Sequence, residues 1–174
     1  DIFGSRGLGD VYKRQGEVMG IGNSFGEAYF KAQRAAGVIL PKTGNVFISV
    51  RDKDKEPVCD VAEELIKIGF NLFATRGTQV HLEKKGIKCE RINKVKQGHP
   101  HIVDMIKNGN VHLIINTTEG ALSIKDSFSI RKEANNHNVC LTTTISGAKA
   151  FCKAILFIDN FDALDIQSRH SSIN

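Results

Sequence analysis

Long apolar runs are missing from this chain. No stretch approaches the roughly 18 apolar residues of a membrane span, and the first residues lack a basic stretch followed by an apolar one, so we expect neither a transmembrane helix nor a signal peptide. Proline is scarce, with three residues, and at 41% hydrophobic and 25% charged the composition is that of a soluble globular protein rather than a disordered or fibrous one. Cysteine is present but unclustered. Cys59, Cys89, Cys140 and Cys152 form no C-x-x-C pair and no Cys/His group of the zinc kind, which speaks against a disulfide framework or metal site and for free buried thiols in a reducing cytosol. A block of like charge is absent too. The 24 Lys and Arg against 19 Asp and Glu give a net +5 spread along the chain, compatible with an anionic ligand but not with a nucleic-acid footprint.

What remains reads as one main domain, since 174 residues suffice for a single well-formed core. The chain starts at Asp1 rather than Met, and we expect a fragment. Ser24-Phe-Gly-Glu27 has the capping-box spacing ahead of an alanine-rich helix that ends near Gly37, and Pro41-Lys-Thr-Gly44 breaks the chain after it. From there strand-like runs alternate with helical ones. Strands are predicted over Val46 to Val50, Phe70 to Ala74, Lys88 to Ile92, Val111 to Asn116 and Val139 to Thr143. Helices are predicted over Pro57 to Ile68, Thr78 to Lys85, Pro100 to Lys107, Ser123 to Asn135 and Ser146 to Phe157. Val58, Val61, Ala62 and Leu65 recur at helical spacing, as do Ile102, Met105 and Ile106, so each of these helices has one apolar face. Leu113-Ile-Ile115 is apolar without alternation, as expected of a parallel strand covered on both faces. The pattern predicts a doubly wound α/β domain, whose ligands sit beyond the carboxyl ends of the strands.

Those ends carry Arg51-Asp-Lys-Asp-Lys55, Thr75-Arg-Gly-Thr78, Asn93-Lys94 and Asn116-Thr-Thr118, with Glu119 the nearest carboxylate beyond. Lysine supplies charge and Thr and Asn supply directed hydrogen bonds, so the set suits a phosphate, and a helix start adds its own positive end. It does not resemble catalytic machinery. Thr, Asn and Gly are also common in turns and caps, so at this level ordinary turn chemistry is the favoured reading and phosphate binding the alternative. His99-Pro100-His101 lacks a third ligand at helical spacing and reads as a helix start, Gly4, Gly7 and Gly9 lack the Lys-Ser/Thr of a phosphate loop, and Asp52 and Asp54 lack the other ligands of a calcium loop.

Taken together, Thr75-Arg-Gly-Thr78, Asn93-Lys-Val95, Gly98-His-Pro-His101 and Ile114-Ile-Asn-Thr-Thr118 resemble the C-terminal regulatory domain of carbamoyl-phosphate synthetase large chains, over residues 16 to about 158. Gly16-Glu-Val-Met-Gly-Ile-Gly22 and Ser24-Phe-Gly-Glu-Ala28 look like the tail of that family's second ATP-grasp half. The resemblance implies a methylglyoxal synthase-like fold, a five-stranded parallel sheet between helices, and allosteric binding of nucleotides such as UMP and IMP. It implies that the effector phosphate is held at Lys55, Thr75, Thr78, Lys94, Asn116 and Thr118, all of the expected residue types. It further implies a segment that is not itself catalytic and holds no cofactor, in a cytoplasmic parent ligase of pyrimidine and arginine biosynthesis. That parent uses ATP with Mg or Mn and draws ammonia through a glutaminase small subunit.

The sequence also departs from the family. Methylglyoxal synthases carry a catalytic aspartate in Gly-Gly-Asp, where this chain has Gln97-Gly-His99, so the general base of that lyase is lacking. A stand-alone lyase and an IMP cyclohydrolase-type domain are the alternative readings. Lys94 stands where the acetylglutamate-responsive synthetases carry an aromatic residue, which favours a nucleotide effector. Leu141-Thr-Thr143 keeps Thr143 of a Tyr-x-Thr that contacts ornithine in enterobacterial forms but lacks the Tyr, which leaves Thr143 a possible second effector contact. Gln15 stands where a Thr is usual, and residues 1–14 do not look like the family. The expected division is a foreign or misassembled leader over residues 1–15, with a divergent linker as the alternative, an ATP-grasp tail over 16–38 and the regulatory domain over 39–174.

Overall fold

The computed structural model describes residues 18–93, 98, 101–119 and 121–159, so the expected leader, Lys94, Gln97, His99 and Pro100 lie outside the described residues. Helix α1 (Phe25–Ala35) starts where the Ser24 hydroxyl accepts the Glu27 N–H, while the Glu27 carboxylate accepts the Asn23 N–H at 2.6 Å. Phe25 and Tyr29 stack on one another and Tyr29 meets Phe151, which lays this helix against the last one.

Strand β1 (Gly44–Ser49) follows, then a single 3-10 turn over Asp52–Asp54, α2 (Lys55–Ile68), β2 (Phe70–Ala74) and α3 (Arg76–Lys84). The rest is β3 (Glu90–Arg91), α4 (Ile102–Lys107), β4 (Leu113–Asn116), α5 (Ala121–Asn136), β5 (Cys140–Thr142) and α6 (Ile145–Ile155). Helix α2 begins two residues earlier than its proline suggested, and Pro57 sits in the first turn, where its missing N–H leaves no helical bond unmade. It stops at Gly69, whose φ of 110° lets its N–H turn back onto the carbonyls of Leu65 and Ile66 before β2 starts.

The five strands form one parallel sheet in the order β3-β2-β1-β4-β5. Ile48 in the central strand pairs with Ala74 on one side and Ile115 on the other. One face of β1, with Val46 and Ile48, packs on α1, α2, α3 and α6 through Phe30, Leu65, Leu82 and Phe151. The other, with Phe47 and Ile114, packs on α4 and α5 through Ile102, Ile106 and Ile130. Covering both faces is what a strand such as Leu113-Ile-Ile115 requires, and all three residues are fully buried. The doubly wound α/β expectation therefore holds. The third strand does not reach Lys88 to Ile92. Only Glu90 and Arg91 pair with β2, because this is a sheet edge where one neighbour supplies all the ladder bonds. Among the described residues no helix is long and apolar enough to cross a membrane.

Candidate functional site

At the carboxyl end of the sheet the chain turns sharply from β2 into α3. Thr75 is the N-cap, with φ −66° and ψ 152°, and its side chain makes no cap bond. The helix thus starts at Arg76, two residues before the predicted Thr78, because the cap lies at the strand end itself. Thr75 is 5% exposed, and its hydroxyl lies 3.4 Å from Ser49 Oγ and 3.5 Å from Thr78 Oγ1. The Thr78 hydroxyl accepts the Val50 N–H at 3.3 Å. A hydroxyl that accepts a backbone N–H still has its own proton to donate, so this bond leaves Thr78 a donor.

Lys55 opens α2 across from this turn. Its ammonium would stand 3.6 Å from a Cβ built on Gly77, and it pairs with Asp52 Oδ1 at 2.7 Å. The hydrogen bond and charge of Lys55 hold the Asp52 carboxyl below its ordinary pKa. Lys55, Thr75 and Thr78 line one pocket of about 630 Å³ together with Val50, Asp52, Arg76, Gly77 and Val80. A cation, two hydroxyls and a helix N-terminus thus surround one volume, which is the chemistry of a phosphate seat.

Of the other predicted residues, the described ones, Asn116, Thr118 and Thr143, do not line that pocket. Ser49 pairs in register with Asn116 and carries the polar row from Thr75 across β1 to β4. Asn116 is 1% exposed; its Oδ1 accepts from Ser127 Oγ at 3.5 Å, and its Nδ2 has no hydrogen-bond partner among the described residues. Thr118 does not line the pocket but accepts from Arg131 Nη2 of α5 at 3.1 Å. Thr143 is exposed beyond β5, two strands from β1, and is not brought to the pocket.

Four residues that sequence reasoning passed over belong to this edge. Ser49 links the two halves, while Ser127 and Arg131 lie one helical turn apart and meet Asn116 and Thr118 in turn. The signal was a serine and an arginine beside the buried Ile130 and Ala134 of α5. The fourth, Thr117, accepts the Arg51 N–H at 3.1 Å and holds the loop after β1. Burial opposes ionisation of Asp54 there, yet hydrogen bonds from Arg51 and Thr117, with the charges of Arg51 and Lys53, hold its pKa below the ordinary value.

The thiols take no part. All four cysteines are free and buried; burial pushes Cys89 and Cys152 up to about 12 and Cys140 up to about 11. Iodoacetamide at pH 8 should therefore label these three at least tenfold more slowly in the folded chain than in urea, followed by mass spectrometry. Equal rates would show that the thiols are reachable.

The family model described as "MGS-like domain" matches residues 57–143. The chain is 51% identical over 166 residues to the carbamoyl phosphate synthase large chain of Pseudomonas putida, covering 95% of this chain and 16% of that protein. It is 48% identical, again over 166 residues, to the large chain of Xanthomonas campestris pv. campestris, of which it spans 15%. The chain thus corresponds to about a sixth of the length of these relatives. Among solved structures, methylglyoxal synthase from Elizabethkingia anophelis superposes with a TM-score of 0.56 at 17% identity, covering 75% of this chain and 92% of that one. At that identity the likeness shows the shared fold.

Proposed function

The chain belongs to the MGS-like domain family, and on that premise we propose that it is the effector-binding regulatory domain of a glutamine-dependent carbamoyl phosphate synthase large chain. The effector is a nucleoside monophosphate of the UMP or IMP kind. The observation that carries the reading is the pocket that gathers Lys55, Thr75 and Thr78 around the start of α3. Lys94, Asn116 and Thr118 complete the phosphate's ligands, with Thr143 available to a second effector. The segment performs no catalysis itself. The remainder of the large chain supplies ATP chemistry and contact with a glutaminase subunit, in a cytoplasmic enzyme of pyrimidine and arginine biosynthesis.

Such a domain acts by binding its effector more tightly in one state of the parent enzyme than in the other. Calorimetry with UMP, IMP and uridine tests the reading. The nucleotides should bind far more tightly than uridine, because the phosphate carries the recognition. Equal affinity for UMP and uridine would reject the phosphate seat.

Asp52 adds a check on the same pocket. Its side chain is 95% exposed and pairs with Lys55, so an arriving anion competes with a carboxylate already beside the ammonium. Exposed pairs are weak, and the expected gain is small. Asp52→Asn should tighten inorganic phosphate and UMP by about two- to fivefold. Unchanged or weaker binding would mean that the ion pair does not compete.

A further inference from the structure

We propose that Arg131 is a positioning residue of the anion seat, holding the Thr118 hydroxyl so that its proton is left for a phosphomonoester oxygen. The inference rests on the phosphate reading above and adds a residue to it. Arg131 Nη2 donates to Thr118 Oγ1 at 3.1 Å. A hydroxyl offers one proton and two lone pairs, and a guanidinium can only donate, so the bond fills a lone pair and turns the Thr118 proton elsewhere. Thr78 is prepared in the same way across the sheet, where the Val50 N–H fills the lone pair. Each hydroxyl thereby keeps its own proton free to donate.

A second observation points to a ligand rich in acceptors. Arg131 Nε and Asn116 Nδ2 are both buried donors without a hydrogen-bond partner among the described residues. Asn116 is the last residue of β4 and Thr118 follows two residues beyond it. Ser127 and Arg131, one turn apart on α5, meet these two side chains in the same order. Two buried donors left over at one edge match an anion, whose oxygens accept several hydrogen bonds at once. Arg131 also brings a permanent positive charge to that edge.

The test is calorimetry on the 174-residue chain with UMP and inorganic phosphate, alongside thermal melts. Arg131→Gln and Thr118→Val should each weaken UMP about tenfold, and the double variant should lose clearly less than the product of the two single losses, because Arg131 acts in part through the Thr118 hydroxyl. Arg131→Lys keeps the charge and a donor and should recover part of the loss, which also covers a Gln variant that fails to fold. A lowered Tm with unchanged Kd, or losses that multiply in the double variant, would overturn the proposal. If Lys55→Ala weakens UMP while Arg131→Gln does not, this inference alone falls. If wild type binds neither probe, or Lys55→Ala has no effect, the phosphate reading falls and takes Arg131 with it.

Discussion

Replacing Lys55 with alanine is expected to weaken UMP and inorganic phosphate by about 1.5 to 3 kcal/mol, the worth of a hydrogen bond to a charged group. The lysine is placed to contribute this much because its side chain is only 24% exposed and lies against Gly77, where solvent screens it less than an open surface charge. Its partner Asp52 is almost fully exposed, so removing the ammonium strands no buried carboxylate, and the melting temperature should hardly move. Lys94→Ala should cost a similar amount by the family correspondence. Thr75→Val should cost less, about 0.5 to 1.5 kcal/mol, because a neutral donor is lost while the buried side chain keeps its shape. Uridine binding should be indifferent to all three changes. Loss of uridine and UMP affinity in equal measure would place these residues outside any phosphate contact. In the parent enzyme the coupling between effector and catalysis should amount to about 1 to 3 kcal/mol, and variants that bind poorly should need more effector for the same response.

The fold was legible because its signals are periodic. Val58, Val61, Ala62 and Leu65 are all fully buried, as their spacing demanded, and the unbroken Leu113-Ile-Ile115 lies between two helical layers. The boundaries were less legible where backbone and side-chain signals diverge. Pro57 marked a helix start, yet α2 opens at Lys55, since a proline is accommodated anywhere in the first turn. Likewise the next helix was predicted to open at Thr78, but it opens at Arg76 behind the N-cap Thr75, and Thr78 turns its hydroxyl to the Val50 N–H.

The candidate site was legible only in part, for a physical reason. Residues just past a strand end are local in sequence, so Thr75, Thr78 and Lys55 could be picked out loop by loop. What joins the loops is not local. The Thr75 to Ser49 contact and the Ser49 register with Asn116 depend on strand order, and the Arg131 to Thr118 bond depends on how α5 lies across β4. Composition and spacing carry no record of strand order. Hence Asn116 and Thr118 could be assigned to the carboxyl end of β4, while the residues that contact them went unnoticed.

The largest effect on stability is expected from Phe47→Ala, at about 3 to 5 kcal/mol. Phe47 is fully buried in the central strand, with β2 and β4 on either side, and it packs with Ile102, Ile106, Ile114 and Ile130 between the sheet and its second helical layer. A central strand hydrogen-bonded on both sides cannot shift to fill the space, so the truncation leaves most of a cavity behind. Domains of this size are stable by only about 5 to 15 kcal/mol, and the loss is therefore a large share of the total. Urea denaturation should show the midpoint falling with the slope unchanged, whereas Phe128→Ala, at a side chain 68% exposed, should stay within about 0.5 kcal/mol. The same variant connects the core to the candidate site, since Ser49 lies two residues beyond Phe47 on the same face of β1. If the anion pocket belongs to the native state alone, UMP at a hundred times its Kd should return about 2.7 kcal/mol to both wild type and Phe47→Ala. A return confined to wild type would mean that the cavity had also disordered the strand ends that build the pocket.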